Sequence, residues 1–131
     1  ELAQMAELLW PVGMSLHEGL FKLDSVGLYA HVAQAAQEGL PVAEVAARFH
    51  LSLAMALARM TGRAARGLGV GVTALSGGVL QNTIMARLLP LLLERQDLKV
   101  LRHHELPPGD GGLSLGQAVW GRQMLAALQQ K

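Results

Sequence analysis

The sequence predicts an α/β fold in which strands alternate with helices, and three observations carry that reading. An apolar run, Val70 to Leu75, ends in the small-residue turn Ser76-Gly77-Gly78 and leads into a helical pattern. A second strand-like run, Leu98 to Leu101, follows that helix. Apolar stripes of helical period stand before the first run and after the second. Strands separated by helices imply parallel pairing with right-handed crossovers.

Taken in order, residues 1–10 carry Leu2, Met5, Ala6 and Leu9 at spacings that fit a short helix, which Trp10-Pro11 ends. Residues 12–23, with Gly13 and Gly19, fit two short strands. Asp24-Ser25 reads as a helix N-cap. Leu28, Tyr29, Val32, Ala35 and Ala36 form the stripe of the helix that follows, and Gly39 closes it. Pro41 suits the first turn of the next helix. That helix is long, about 42–66, with the stripe Val42, Val45, Ala46, Phe49, Leu53, Leu57, Met60 and Ala64. Gly67, Gly69 and Gly71 break it. Then come a buried strand over 70–75, the Gly-Gly turn and a helix over about 79–95. Pro90 lies inside this helix and should bend it or cut it short. After the strand over 98–101, residues 103–112 form a loop with two prolines and three glycines. A last helix covers about 113–129.

The chain has 131 residues, enough for one small domain. Apolar residues make up 51% and charged residues 16%, a composition rich for a free-standing domain with an ordinary surface. Two readings stay open: a tightly packed core, or a surface normally covered by neighbours. With Glu1 at its head, the chain is expected to be a single partial domain, 1–131, of a longer protein. Net charge is +1 with no block of like charges, so nucleic-acid binding is not expected. Arg59, Arg63 and Arg66 recur on one helix face and read as solvated. Cysteine is absent, which excludes a disulfide framework, a thiolate metal site and a cysteine nucleophile. No run reaches transmembrane length and no signal peptide is seen, so a cytoplasmic setting away from membranes is expected.

The turn Ser76-Gly77-Gly78 stands where a strand ends and a helix begins. N–H groups at such a point lack internal partners and carry partial positive charge. Gly77 and Gly78 have no Cβ, so a ligand oxygen can approach the backbone closely. The same pair also serves simply to turn tightly. Asn82, one helical turn further on, has amide donors and an acceptor. On its own it reads first as a cap of the helix. Gly69 to Ala74 formally fits G-x-G-x-x-A, but it enters a strand instead of opening a helix, so no dinucleotide site is assigned. No lysine follows a Gly-rich loop. Asp110 stands among Gly109, Gly111 and Gly112 just before the last helix. A carboxylate there would be held by backbone N–H groups and stay ionised; it would equally be an ordinary acid at a helix start.

The two stretches Ser76-Gly77-Gly78-Val79-Leu80-Gln81-Asn82 and Pro107-Pro108-Gly109-Asp110-Gly111-Gly112-Leu113-Ser114-Leu115-Gly116-Gln117-Ala118 together resemble the C-terminal end of HypF-type carbamoyltransferases, which mature [NiFe] hydrogenases. Ala46-Ala47-Arg48-Phe49-His50 also resembles the family's helix before the Gly-Gly turn. The resemblance covers roughly residues 24–128. It implies the C-terminal portion of a TsaD-like domain, within the actin-like and sugar-kinase ATPase superfamily. It implies that Ser76, Gly77, Gly78 and Asn82 contact nucleotide, Asn82 lying against the nucleoside. It implies that Asp110 is a metal ligand, and a carboxylate oxygen suits a divalent ion.

For the intact protein the resemblance implies ATP and carbamoyl phosphate as substrates and carbamoyl-adenylate as intermediate. The acceptor would be the C-terminal cysteine of HypE, whose thiocarboxamide becomes a cyanide ligand of the hydrogenase iron. Acylphosphatase-like, zinc-finger and adenylate-forming parts are expected upstream. The metal, iron or zinc, would be shared with two histidines spaced H-x-x-x-H in an earlier segment. The five histidines present, His17, His31, His50, His103 and His104, offer no such spacing. A local site made by His103 or His104 with Asp110 is disfavoured, because adjacent residues leaving a strand point opposite ways. His50 ends an apolar stripe and reads as a packed histidine.

Gly109 stands where the family usually has Asn, and Thr83-Ile84 where a basic residue is common. The first loosens the loop around Asp110, and the second alters nucleotide contacts. Alternatives remain: another ATPase of the superfamily, such as a tRNA threonylcarbamoyl transferase or an O-carbamoyltransferase, or a non-catalytic interaction module on the same scaffold. The segment alone is expected to be inactive.

Overall fold

The long central helix and the small residues along it organise the structure. The computed structural model describes residues 7–129; the helix predicted over 1–10 lies for the most part outside them. A hairpin comes first, β1 (Met14–His17) and β2 (Leu20–Leu23), paired antiparallel with His17 opposite Leu20. Its two-residue turn holds Glu18 and Gly19 at positive φ, +50° and +79°. That is the tight turn whose twist matches the strands it joins.

Helix α1 (Ser25–Gln37) is capped by Asp24, whose carboxylate accepts from the Gly27 N–H at 2.8 Å. A Cβ at residue 27 would collide with that carboxylate, so glycine belongs there. The C-terminus closes with paired bonds, Leu40 N–H to Ala35 C=O and Gly39 N–H to Ala36 C=O, around Gly39 at φ +77°. Helix α2 (Val42–Leu68) ends the same way on Gly69, with Val70 N–H bonded to Ala65 C=O. Pro41 sits just outside α2 at its N-cap.

The deepest face of α2 is not the stripe the sequence predicts. Val42 is 85% exposed, and Phe49, Leu53, Leu57 and Met60 are half-buried. Apart from Leu51, the buried positions are small: Ser52, Ala54, Ala56, Ala58, Gly62 and Ala65. Small side chains let neighbouring backbone approach, so a helix covered on two sides buries them and leaves larger residues between the layers. Ala54, Ala58 and Ala65 pack with Met85, Leu89, Leu92, Leu93 and Leu98 in the main core. Ala56 packs with Val12 and Leu28 in a second core on the hairpin and α1 side. Ser52 adds a polar link there, accepting from the Trp10 N–H at 2.8 Å.

Strand β3 (Val72–Ala74) and strand β4 (Lys99–Leu101) pair in parallel, Thr73 opposite Val100. The parallel pairing predicted from the alternation is present. The burial predicted for residues 70–75 is not: Val70, Val72 and Leu101 are each nearly half exposed. Each strand has a single hydrogen-bonded neighbour among the described residues, so one edge of each stays open.

Between them a 3₁₀ turn, Gly78–Gln81, precedes helix α3 (Thr83–Glu94). The α-helix therefore starts four residues later than the sequence pattern indicates, because the Gly pair is spent on the tighter turn. Pro90 neither ends the helix nor faces water. It is buried, and α3 runs on to Glu94. A second 3₁₀ turn, Asp110–Gly112, leads into helix α4 (Leu113–Leu128), which buries no residue. Among the described residues no helix is long and apolar enough to cross a membrane.

Candidate nucleotide-facing site

Two loops separated by helix α3 and strand β4 meet at one backbone carbonyl. Beyond β3 the parallel ladder continues by one bond, Leu75 N–H to Leu101 C=O at 2.9 Å. The chain then turns at Ser76-Gly77-Gly78. Gly77 N–H donates to the Pro108 carbonyl at 2.7 Å, and the Ser76 hydroxyl donates to the same oxygen at 3.1 Å. The Gly-Gly turn and the Pro-Pro-Gly-Asp loop are thereby stitched together. His103 adds a third thread, its Nε2 lying 3.2 Å from Ser76 Oγ. With the hydroxyl hydrogen directed at Pro108, His103 is the donor in that contact.

Gly77 has φ +108° and ψ 162°, a conformation essentially reserved to glycine. Nothing would meet a Cβ on either Gly77 or Gly78 within 4 Å, so the face of the turn is open to an approaching group. Gly77 has already used its N–H on Pro108, and the Gly78 N–H takes part in no described bond. The available donors therefore begin at Gly78.

Asn82 is the N-cap of α3. Its Oδ1 accepts from Ile84 N–H at 3.0 Å and Met85 N–H at 3.1 Å. Its Nδ2 lies 2.9 Å from His50 Nε2. His50 Nδ1 in turn lies 2.7 Å from the Ala46 carbonyl, and its ring stands edge-on to Phe49. The packed histidine of the sequence reading is thus also a partner of a candidate site residue. The cap itself was legible from Asn before a helical pattern. Its link to His50 was not, since nothing local in the sequence joins the two.

Asp110 is exposed and starts the second 3₁₀ turn. The backbone N–H cradle expected for it is not among the described hydrogen bonds. The turn begins at Asp110 itself, with Gly109 in the cap position and no side-chain cap bond. No group of three or more His, Cys, Asp or Glu side chains is placed to hold a metal among the described residues. Asp110 alone cannot complete a site, and His103 is directed to Ser76.

At Gly109 only the end of the exposed Gln81 side chain would have to move to admit a Cβ. A Cβ there would lie 2.7 Å from Gln81 Nε2 and 3.8 Å from the Gly78 Cα. A cavity of about 400 Å³ opens beside this junction, with Ser76, Gly109, Gln117 and Trp120 among its walls. Ser76, Gly77, Gly78, Asn82 and Asp110 are all exposed, so they form a wall and not an enclosed pocket. On the opposite part of α2, Arg59, Arg63 and Arg66 border a separate cavity of about 370 Å³ with Gln96, and Arg63 lies over the Phe21 ring.

Residues 1–117 match the family described as Carbamoyltransferase, Kae1-like Domain, second subdomain. The chain belongs to the HypF-type carbamoyltransferases. It is 39% identical over 109 residues to a Carbamoyltransferase HypF homolog of Cupriavidus necator, covering 81% of this chain and 28% of that protein. It is 33% identical over 114 residues to Carbamoyltransferase HypF of Rhizobium leguminosarum bv. viciae, covering 86% of this chain and 14% of that protein. The fold is similar to the crystal structure of full-length HypF in the phosphate- and nucleotide-bound form, with TM-score 0.81 and 23% identity over 95% of this chain and 17% of that one. The chain thus spans less than a third of the length of the HypF relatives it matches. Both motifs that carried the resemblance in the sequence lie largely within the matched region, at the junction around Pro108.

Proposed function

We propose that this chain forms one wall of the nucleotide cleft in a HypF carbamoyltransferase and that its fold is the C-terminal portion of an actin-like ATPase domain. The observation that carries this reading is the junction at Pro108, which holds an open Gly-Gly turn and the Asp110 loop side by side. In the intact enzyme, water releases phosphate from carbamoyl phosphate to leave carbamate, whose oxygen attacks the α-phosphorus of ATP and displaces pyrophosphate, giving carbamoyl-adenylate. The thiolate sulfur of the C-terminal cysteine of HypE then attacks the carbamoyl carbon and AMP leaves, giving the thiocarboxamide used for hydrogenase cyanide-ligand synthesis in the cytoplasm.

Phosphate sits at Ser76, Gly77 and Gly78, where the two glycines leave a face without side chains and Gly78 N–H has no partner among the described residues. Asn82 lies against the nucleoside. Asp110 supplies one oxygen ligand to a divalent metal, iron or zinc, whose remaining ligands come from histidines of an H-x-x-x-H segment outside this chain. Such an ion neutralises phosphate charge or polarises a carbonyl. Placing these groups on one wall requires the facing wall to come from the rest of the enzyme. The chain alone therefore has no carbamoyl-transfer activity.

Calorimetry with ADP on the complete enzyme tests this. Gly78→Val puts a branched side chain into the open face and should abolish measurable binding. Unchanged ADP affinity would remove the turn from the nucleotide site.

A further inference from the structure

The bond between Asn82 and His50 has a direction, and the direction restricts what Asn82 can do. Asn82 Oδ1 faces two backbone donors, Ile84 N–H and Met85 N–H. Turning the amide over would set its NH₂ against both, so the orientation is fixed with Nδ2 toward His50. The Ala46 carbonyl can only accept, so His50 Nδ1, 2.7 Å away, carries the proton. His50 Nε2 is then the acceptor, and Asn82 Nδ2 donates to it at 2.9 Å. Every group in the chain from Ala46 through His50 to the first turn of α3 has its hydrogen-bonding role assigned.

Two consequences follow for Asn82. Both acceptor directions of Oδ1 are occupied by the helix cap. One of the two Nδ2 hydrogens is held by His50. A single N–H remains, on a side chain that is itself exposed. His50 is half-buried on α2, anchored by the Ala46 carbonyl and packed edge-on against Phe49. The cap sets which end of the amide faces His50, and His50, the fixed partner, then restrains the amide plane.

We propose that His50 is a positioning residue for nucleotide binding: it holds the Asn82 amide so that one N–H, and no acceptor, is presented to the bound nucleoside. Asn82 accordingly pairs with an acceptor atom of the nucleoside, a ring nitrogen or a sugar oxygen. The inference rests on the proposed nucleoside-facing role of Asn82 and adds to it the residue that orients the amide and the polarity of the contact.

The test is ADP calorimetry on the complete enzyme with a melting curve for each variant. Asn82→Ser keeps a competent neutral helix cap but is too short to reach His50 or the nucleoside. His50→Leu removes the acceptor. Each should weaken ADP binding about 3- to 10-fold, the worth of one net hydrogen bond. The double variant should be no weaker than either single one, as expected when both act through the same contact. His50→Gln, whose amide has both an acceptor oxygen and an NH₂ donor group, should return affinity to within about 2-fold of the parent. If His50→Leu lowers the melting temperature, His50→Asn, too short to span to Asn82, replaces it with the same expectation. Undiminished affinity in Asn82→Ser would overturn both the role of Asn82 and this inference. Weak binding in Asn82→Ser with full affinity in the His50 variants would overturn the inference alone. Additive losses in the double variant, or no rescue by glutamine, would also overturn it, because His50 would then act other than through Asn82.

Discussion

Gly77 donates its N–H to the Pro108 carbonyl at 2.7 Å, and this short bond fixes the separation of the two loops. It also divides the labour of the adjacent glycines. Gly77 is needed for its conformation, and Gly78 for its empty face. Gly77→Ala should cost about 1–3 kcal/mol of stability, since φ +108° with ψ 162° strains any side-chain-bearing residue. Gly78→Ala should cost less and act mainly on ligand binding. Thermal melting of both variants, with ADP titration, checks the division; equal destabilisation would contradict it.

Asp110→Ala should leave the melting temperature of the complete enzyme almost unchanged. An exposed carboxylate outside any described hydrogen bond contributes within about 0.5 kcal/mol. Metal content, measured by elemental analysis, and transfer activity should both fall. A large drop in melting temperature with metal retained would make the residue structural.

Ala58 is fully buried where α2 meets α3. Ala58→Leu should overpack that contact and cost about 1–3 kcal/mol. Val42→Ala, at the head of the stripe predicted from sequence but 85% exposed, should stay within about 0.5 kcal/mol. Chemical denaturation of the two variants compares them, and a reversed order would restore the larger stripe as the packing face.

Ser52→Ala should cost about 1–3 kcal/mol although it removes only one oxygen. The Trp10 N–H would lose its acceptor beside a residue that is 1% exposed. Ser52→Thr keeps the hydroxyl and separates that loss from simple packing. A Ser52→Ala variant as stable as the parent would show that water replaces the hydroxyl there.

Trp120 and Leu125 are each 64% exposed on α4. The segment on its own should therefore associate, with itself or with the rest of a HypF enzyme supplied in trans, and Trp120 emission should shift to the blue on association. Emission that stays unchanged at all concentrations and with the added partner would show that α4 meets water in the intact protein.

Much of this fold was legible because local signals agree with it. Asp24, Gly39 and Gly69 mark helix ends by chemistry that acts over a few residues. The alternation around Ser76-Gly77-Gly78 marks a parallel strand pair. What stayed hidden depends on neighbours far along the chain. Whether Val72 is buried is decided by strands on its open edge, and its own apolar character cannot report them. The packing face of α2 was misjudged because hydrophobicity ranks Leu57 above Ala58, while close approach of a second helix reverses that order. At the site, Gly77, Asn82 and Asp110 stood out by type and spacing. The Pro108 carbonyl did not, since every residue has one, and only the fold selects it as the shared acceptor. His50 was visible as a residue but not as a partner, because its acceptor nitrogen is assigned by Ala46 within its own helix and its donor comes from another.

Helix α4 buries no residue, whereas α2 and α3 share the main core. Taken alone, the chain should therefore not open all at once. Backbone amides of α2 and α3 can exchange with solvent deuterium only when the core comes apart. Those of α4 need only the unwinding of that one helix, a far smaller excursion. The Asp110 loop leads directly into α4, so whatever clasps this helix in the full enzyme also sets how long the carboxylate is held still.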